Sequence, residues 1–202
     1  MFDDILAEEY PKEVTLKNGV TVVIRLLSSG DADALYDFFQ SISKDDRLFL
    51  RDNVRDKSVI QGWCENLNWE LAIPIVAVAG DKIVAESSLH LEQHGWKSHI
   101  GKLRLVVHHD FRRQGLAVEM VKEIIEIALH TGSLEQLNAE CMIDTQQGAI
   151  HMLELLGFDQ RAVLPRQVRD IEGKSHDLTL LAYELRDQEF YGVDIGGPGG
   201  MT

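Results

Sequence analysis

The chain has 202 residues and a formal net charge of −13 at pH 7, with 45% hydrophobic and 26% charged residues. This length and composition are ordinary for one globular domain whose core needs no disulfide or metal to hold it together. The acidic balance argues against nucleic acid as a partner, because binding to phosphate backbones requires a basic surface. The apolar runs are too short to cross a bilayer, and no signal-peptide pattern is present. We therefore expect a cytoplasmic protein that is not a membrane protein.

Strands and helices alternate along most of the sequence. Strands are indicated by β-rich or apolar runs bounded by Gly or Asn, and helices by apolar residues three or four positions apart. The predicted elements are, in chain order, a hairpin over 14–24 with its turn at Asn18-Gly19, helices from Asp31 to Leu67, strands over 74–79, 82–91 and 101–107, a long helix from Leu116, a strand over 137–142, a helix capped by Asp144-Thr145 and ended by Gly157, and strands over 162–171 and 178–185. Residues 1–186 are expected to form one domain and the glycine-rich residues 187–202 a disordered tail.

Residues 105–117 read Leu-Val-Val-His-His-Asp-Phe-Arg-Arg-Gln-Gly-Leu-Ala and join a predicted strand to a predicted amphipathic helix. A turn of this kind directs free backbone N–H groups towards one point, where the helix dipole adds partial positive charge. Arg112 and Arg113 add full charges, and Lys102 and Arg104 are expected to extend this local basic cluster. The pattern predicts a binding site for a phosphate group.

The same stretch resembles the acyl-CoA-binding motif of the GNAT superfamily of N-acetyltransferases, Arg/Gln-x-x-Gly-x-Gly/Ala, at Arg112, Gly115 and Ala117. The family's second motif, Asn-x-x-Ala-Ile-x-x-Tyr-x-x-x-Gly-Phe, is matched in part at Ala149, Ile150, Gly157 and Phe158. The order of predicted elements agrees with this family along nearly the whole chain. The N-terminal segment is also loosely similar to the GNAT domains of bacterial protein-lysine acetyltransferases.

This resemblance implies a mixed α/β (α+β) fold with a central, mostly antiparallel sheet flanked by helices. The sheet would splay between the family's fourth and fifth strands, here 101–107 and 137–142. The resemblance also implies acetyl-CoA as co-substrate, with its thioester arm in the splay, and no metal. The residues that it assigns to the cofactor are Leu105, Val106, Val107, Arg112, Arg113, Gln114, Gly115, Leu116, Ala117, Gln146 and Ala149.

The chain departs from the family at positions that carry chemistry. The base glutamate that some members have on the fourth strand aligns here with Gly101. The tyrosine that protonates the leaving thiolate is replaced by Leu153, and the asparagine that opens its helix by Gln146. The resemblance therefore leaves the general base and the general acid unassigned.

Three side chains are candidate bases. Glu140 lies in an apolar strand, where a carboxylate is costly to bury without a partner, so a catalytic role and a salt-bridged structural role both stay open. Glu86 lies in the strand over 82–91 and could face the cleft, but strand alternation equally allows a solvated face, which is the preferred interpretation. His99 shares a strand face with Gly101, although an ordinary histidine at the end of a loop is the simpler interpretation.

The histidines and cysteines suggest no further chemistry. His90, His94, His99, His108 and His109 have no spacing typical of a zinc site and no accompanying cysteine or carboxylate cluster. Cys141 is interpreted as a buried apolar residue rather than as a nucleophile.

The sequence thus predicts an acetyl-CoA-dependent N-acetyltransferase that acts on a primary amine, either a small cationic amine or a protein lysine. Acidic residues between the first helix and Trp63 are expected to line the acceptor site and to attract that cation, namely Asp45, Asp46, Asp52 and Asp56. The alternative is a catalytically inactive acyl-CoA-binding regulatory module of the same fold. The oligomeric state is left open, with a homodimer among the options.

Overall fold

The structure, a computed structural model, describes residues 6, 8–43, 47, 50 and 53–185. The predictions made for Asp45, Asp46 and Asp52 and for the tail 187–202 lie outside these residues. No helix among the described residues is long and apolar enough to span a membrane.

One sheet contains all the strands of the described residues. Their bounds are β1 Lys12–Thr15, β2 Thr21–Leu26, β3 Ala72–Ala79, β4 Lys82–His90, β5 Ile100–Val107, β6 Gln136–Met142, β7 Asp159–Arg169 and β8 Ser175–Glu184. The strand order is β1-β2-β3-β4-β5-β6-β8-β7. Neighbouring strands are antiparallel except for β5 and β6, which run parallel. The predicted mostly antiparallel sheet is confirmed.

Four α-helices in the described part of the chain cover the two faces of the sheet. They are α1 Ala32–Ser41, α2 Lys57–Glu65, α3 Leu116–His130 and α4 Gln147–Leu155. In α3, fully buried residues recur every three or four positions, at Leu116, Met120, Ile124 and Ile127. The buried side chains form two apolar clusters. The larger core cluster contains this stripe of α3 together with residues of α4, and the smaller α1–α2 cluster contains residues of α1 and α2 with Val76 and Ile83. The helix periodicity therefore predicts correctly which side of α3 faces the sheet.

The local signals for turns and helix ends are confirmed with one exception. Gly157 follows α4 with φ +94°, and the N–H of Phe158 donates to the carbonyl of Leu153, as in a Schellman motif. The prediction that Asp144-Thr145 caps α4 is wrong. The helix follows Gln146 with no side-chain cap, because the Asp144 carboxylate is bound instead to His176 of β8.

Candidate cofactor and catalytic site

A gap opens in the sheet between β5 and β6. The two strands pair from Ile100 with Gln136 as far as Leu103 with Ala139, and no pairing continues beyond these residues, although both strands do. Residues 104–107 and 140–142 therefore face each other across a space that narrows towards Leu103. This is the splay that the family resemblance implies between these two strands.

The backbone of β5 presents alternate residues to this gap. The N–H of His108 donates to Val84, so His108 and then Val106 and Arg104 direct their backbone groups towards β4. Leu105 and Val107 direct theirs towards the gap. Of the three strand residues assigned to the cofactor, Val106 is therefore committed to β4 through its backbone. The backbone groups of Leu105 and the N–H of Val107 can bind an amide, whereas the Val107 carbonyl accepts from Arg112.

The loop from β5 to α3 ends in two residues with left-handed backbone. Arg113 has φ +58° and Gly115, the N-cap of α3, has φ +93°; no side chain caps the helix. The first N–H groups of α3 therefore lack a side-chain acceptor, and the positive end of the helix dipole lies at the same point. Arg112 is held against the strand end, because its Nε donates to the carbonyl of Val107 at 3.1 Å. The arrangement suits an anion such as a pyrophosphate.

The predicted basic cluster is smaller than the sequence suggests. Lys102 lies five residues before the end of β5, which corresponds to about 16 Å along a strand. Arg104 is opposite Ser88 in the β4–β5 register and adjacent to Glu86 rather than to the loop. Lys102 is close to the loop in sequence but not in space, because an extended strand separates successive residues by about 3.3 Å each.

On the β6 side, α4 completes the surroundings of the gap. The Gln146 side-chain oxygen accepts the N–H of Met142 at 2.8 Å and so holds the end of β6 to the start of α4. Ala149 packs against the larger core cluster. Leu153, at the position of the family tyrosine, is buried with 3% of its surface exposed and contributes no proton donor.

Glu86 lies on β4, one strand away from the gap, on the face of the sheet that carries α1 and α2. It lies between Val76 of β3 and Val106 of β5, both of which pack in or against the α1–α2 cluster. Glu86 is therefore half-buried, and the preference for a solvated face is wrong. Desolvation raises the pKa of Glu86 to about 7, although a hydrogen bond with Ser88 and the charge of Arg104 oppose the shift.

Glu140 lies at the first residue of β6 beyond the paired segment, but its side chain is exposed. The expectation of a costly buried carboxylate is therefore wrong, since solvent reaches this group. Asn138, two residues earlier on the same face, has a buried side-chain oxygen without a hydrogen-bond partner in the described structure. Cys141 between them is buried, and burial followed by the charge of Glu140 raises its thiol pKa to about 11, as expected for an inert cysteine.

His99 and Gly101 lie at the closed end of the gap. His99 precedes β5, where its carbonyl accepts the N–H of Glu135, and it is about 16 Å along the strand from Arg104. At Gly101, an added Cβ would lie 2.8 Å from the Leu89 Cδ1 and 2.9 Å from the Leu134 Cδ1. The position that aligns with the family glutamate is thus packed against the core. A base at His99 finds no support in this placement.

The donor atoms of His108, His109 and Asp110 lie within 4.8 Å of one another, a grouping that the sequence analysis did not anticipate. The two imidazole rings are 4.2 Å apart and inclined by only 31°. The Nδ1 of His108 accepts the backbone N–H of Asp110 at 3.3 Å. The Nε2 of His109 lies 3.2 Å from the Oδ1 of Asp110, and both side chains are exposed.

A buried histidine between two carboxylates was missed by the sequence analysis. His176 donates from Nδ1 to Asp144 at 2.8 Å and from Nε2 to Asp170 at 2.9 Å, with only 4% of its surface exposed. The hydrogen bonds to Asp170 and then to Asp144 raise its pKa. No local pattern announces this group, because its members come from the β6–α4 loop, the end of β7 and β8. It ties the β7–β8 hairpin to the loop beside the gap.

A sheet that opens between two parallel strands, beside a glycine loop at a helix N-terminus, defines the class of acyl-CoA-dependent acyltransferases with the GNAT fold. The profile of the Acetyltransferase (GNAT) family matches residues 34–158, which is more than half of the chain. The chain belongs to this family. No curated protein matches it.

Solved structures with the same fold cover most of the chain. An acetyltransferase of the GNAT family from Streptococcus pneumoniae has 22% identity and a TM-score of 0.68, covering 81% of this chain and 99% of its own. The ribosomal-protein-S5-alanine acetyltransferase from Vibrio fischeri has 18% identity and a TM-score of 0.71, covering 82% and 94%. The protein yncA from Salmonella typhimurium, solved with its cofactor acetyl-CoA, has 18% identity and a TM-score of 0.67, covering 81% and 94%. The predicted fold is confirmed.

Proposed function

We propose that this chain is an acetyl-CoA-dependent N-acetyltransferase that acts on a primary amine. The observation that carries the proposal is the end of β5–β6 pairing at Leu103 and Ala139, next to the uncapped N-terminus of α3. The unpaired strand backbone fits the amides of a pantetheine arm, and the helix N-terminus fits a pyrophosphate. Acetyl-CoA supplies a thioester whose carbonyl carbon is open to attack by an amine.

The protein's contribution begins with positioning. The backbone groups of Leu105 and Val107 would hold the thioester arm along β5, and Arg112 and Arg113 would neutralise the phosphates. Holding the reacting groups in attack geometry supplies several kcal/mol of the barrier, about 7–11 in the best intramolecular cases. The N–H groups of β5 that face the gap would also stabilise negative charge on the carbonyl oxygen.

Glu86 is the base that we assign. Glu86 lies opposite Val106, one strand away from the gap. Its carboxylate would receive a proton from the attacking amine directly or through one water. A pKa of about 7 means that a substantial ionised fraction is present at neutral pH together with useful basicity. Glu140, on the exposed side of the gap, is the second candidate. The buried Leu153 leaves protonation of the leaving thiolate to solvent or to the base.

The acceptor that we propose is a cationic amine, either a small amine or a protein lysine. The net charge of −13 supports this, since an acidic surface attracts such a substrate. Asp56 is exposed at the start of α2, where its carboxylate accepts hydrogen bonds from Ser58, and we assign it to one wall of the acceptor site. Two buried cysteines without a disulfide agree with a cytoplasmic location.

A second candidate function is an acyl-CoA-binding module without turnover. The specific observation in its favour is Leu153, which occupies the tyrosine position and is packed in the core. Acetyl-CoA binding would be the same in both cases, and only the transfer step would differ.

The experiment that separates these proposals measures binding and turnover on one preparation. Calorimetry with acetyl-CoA reports binding, and thiol release from acetyl-CoA against a panel of amines and lysine peptides reports transfer. Binding with amine-dependent thiol release supports the enzyme. Binding without release from any acceptor supports the module, and failure to bind acetyl-CoA would contradict both.

A further inference from the structure

The turn between β1 and β2 lies against the loop that precedes α3. The backbone N–H of Lys17 donates to the carbonyl of Gln114 at 3.0 Å and ties the hairpin to the loop. The Lys17 side chain then runs over Gly115, with Cγ and Cε each 3.9 Å from the position that a Cβ would take there. The ammonium nitrogen is one bond further, about 1.5 Å. Its charge is therefore close to the first N–H groups of α3.

Within the described part of the chain, the Lys17 ammonium makes no ion pair with a carboxylate, and the Lys17 side chain is exposed. By contrast, Lys12 at the start of the same hairpin is paired with Glu123 and Glu126, at 2.8 and 2.7 Å. A cation beside a helix N-terminus is repelled by the dipole unless an anion lies between them. An anion at this end of α3 would replace that repulsion by attraction to both the ammonium and the helix N-terminus.

We propose that Lys17 is a cofactor-binding residue that contacts the pyrophosphate of the acyl-CoA, in addition to Arg112 and Arg113. This inference rests on the proposed function, because it takes acetyl-CoA as the ligand. The pyrophosphate is assigned rather than the ribose 3′-phosphate, since Lys17 lies over Gly115, where the N–H groups of the helix converge. The hairpin thereby contributes a charge to a loop almost one hundred residues later in the chain.

The test compares Lys17→Met, which keeps the aliphatic stem over Gly115, with Lys17→Arg, which restores a positive charge. Lys97→Met is the matched control, because Lys97 is also exposed but precedes β5 at the opposite end of the strand. Affinity is measured by calorimetry for acetyl-CoA and for acetyl-3′-dephospho-CoA, each at low and at high salt. Thermal unfolding of each variant shows that the fold is retained.

We expect Lys17→Met to weaken acetyl-CoA binding by about threefold to tenfold at low salt and less at high salt. The dephospho ligand should show the same loss, Lys17→Arg should recover most of the affinity, and Lys97→Met should change nothing. Unchanged affinity in Lys17→Met, with wild-type binding intact, would overturn this inference alone. A loss seen only with the 3′-phosphorylated ligand would overturn the pyrophosphate assignment. Absence of wild-type binding would instead contradict the proposed function.

Discussion

Replacing Glu86 with glutamine should make the protein more stable at neutral and alkaline pH and less active. Glutamine keeps the shape of the side chain between Val76 and Val106 and removes the charge that this half-buried position disfavours. A folded-state pKa of about 7, against an ordinary value of 4.5, corresponds to about 3 kcal/mol between the two protonation states. This cost lowers the free energy of unfolding of the wild type. It is absent below pH 4.5, grows as Glu86 ionises in the unfolded chain, and becomes constant above about pH 7, where Glu86 is ionised in the folded protein as well.

For a chain of this size, a change of about 3 kcal/mol in the free energy of unfolding shifts the Tm by roughly 6 to 12 °C. Thermal unfolding of Glu86→Gln and wild type between pH 4 and 9 measures the difference, which should appear only above about pH 5. Glu92→Gln, at an exposed residue of the loop after β4, is the control and should not shift the Tm.

The same variant tests the assignment of the base. Wild-type kcat/KM should rise with pH through an apparent pKa near 7, and Glu86→Gln should lose both this dependence and roughly 10²–10⁴-fold of the rate. Acetyl-CoA affinity should stay nearly unchanged. A Glu86→Gln enzyme with full activity and the wild-type pH profile would move the assignment to Glu140. A variant less stable than wild type at pH 8 would refute the desolvation argument itself.

Further predictions concern the loop, the core, the buried histidine and the acceptor. Gly115→Val should weaken acetyl-CoA binding more than tenfold in calorimetry, because a β-branched residue does not tolerate φ +93° and its side chain would block approach to the helix N-terminus; unchanged affinity would rule out this loop. Gly101→Ala should cost about 1–3 kcal/mol in denaturant unfolding, since its Cβ meets leucine methyls at 2.8 and 2.9 Å, whereas Gly148→Ala in open space on α4 should stabilise the protein. His176→Gln should lower the Tm most between about pH 4 and 6.5. The raised pKa of His176 gives stability that is lost as the pH rises through that pKa, and the lowered pKa values of Asp144 and Asp170 give stability that is lost in acid. A difference in Tm that does not depend on pH would exclude this ion pair. Finally, kcat/KM for the best acceptor should fall as ionic strength rises, and salt-independent kinetics with a neutral amine would remove the acidic surface from substrate capture.

Local patterns in the sequence predict most of the fold. The hairpin at Asn18-Gly19, the apolar stripe of α3 and the end of α4 at Gly157 each depend on a few adjacent residues, and each is confirmed. The loop at Gly115 also depends on adjacent residues. A glycine directly before a run of apolar residues at helical spacing indicates a left-handed N-cap at the start of a helix. The failure at Asp144-Thr145 shows the limit. Asp144 is a residue type that often caps helices, but here its carboxylate binds His176 of β8, which is distant in the sequence.

The sequence by itself therefore determined the order of the elements, the family motifs and the glycine at the start of α3. Only the tertiary structure decided which side chains surround the gap. Strand register places the half-buried Glu86 between Val76 and Val106, packs Gly101 against leucines and separates His99 from the open end of the gap. The contact of Lys17 with Gly115 and the enclosure of His176 likewise join residues far apart in the chain. Such contacts depend on the pairing and packing of whole elements, and no local run of residues encodes them.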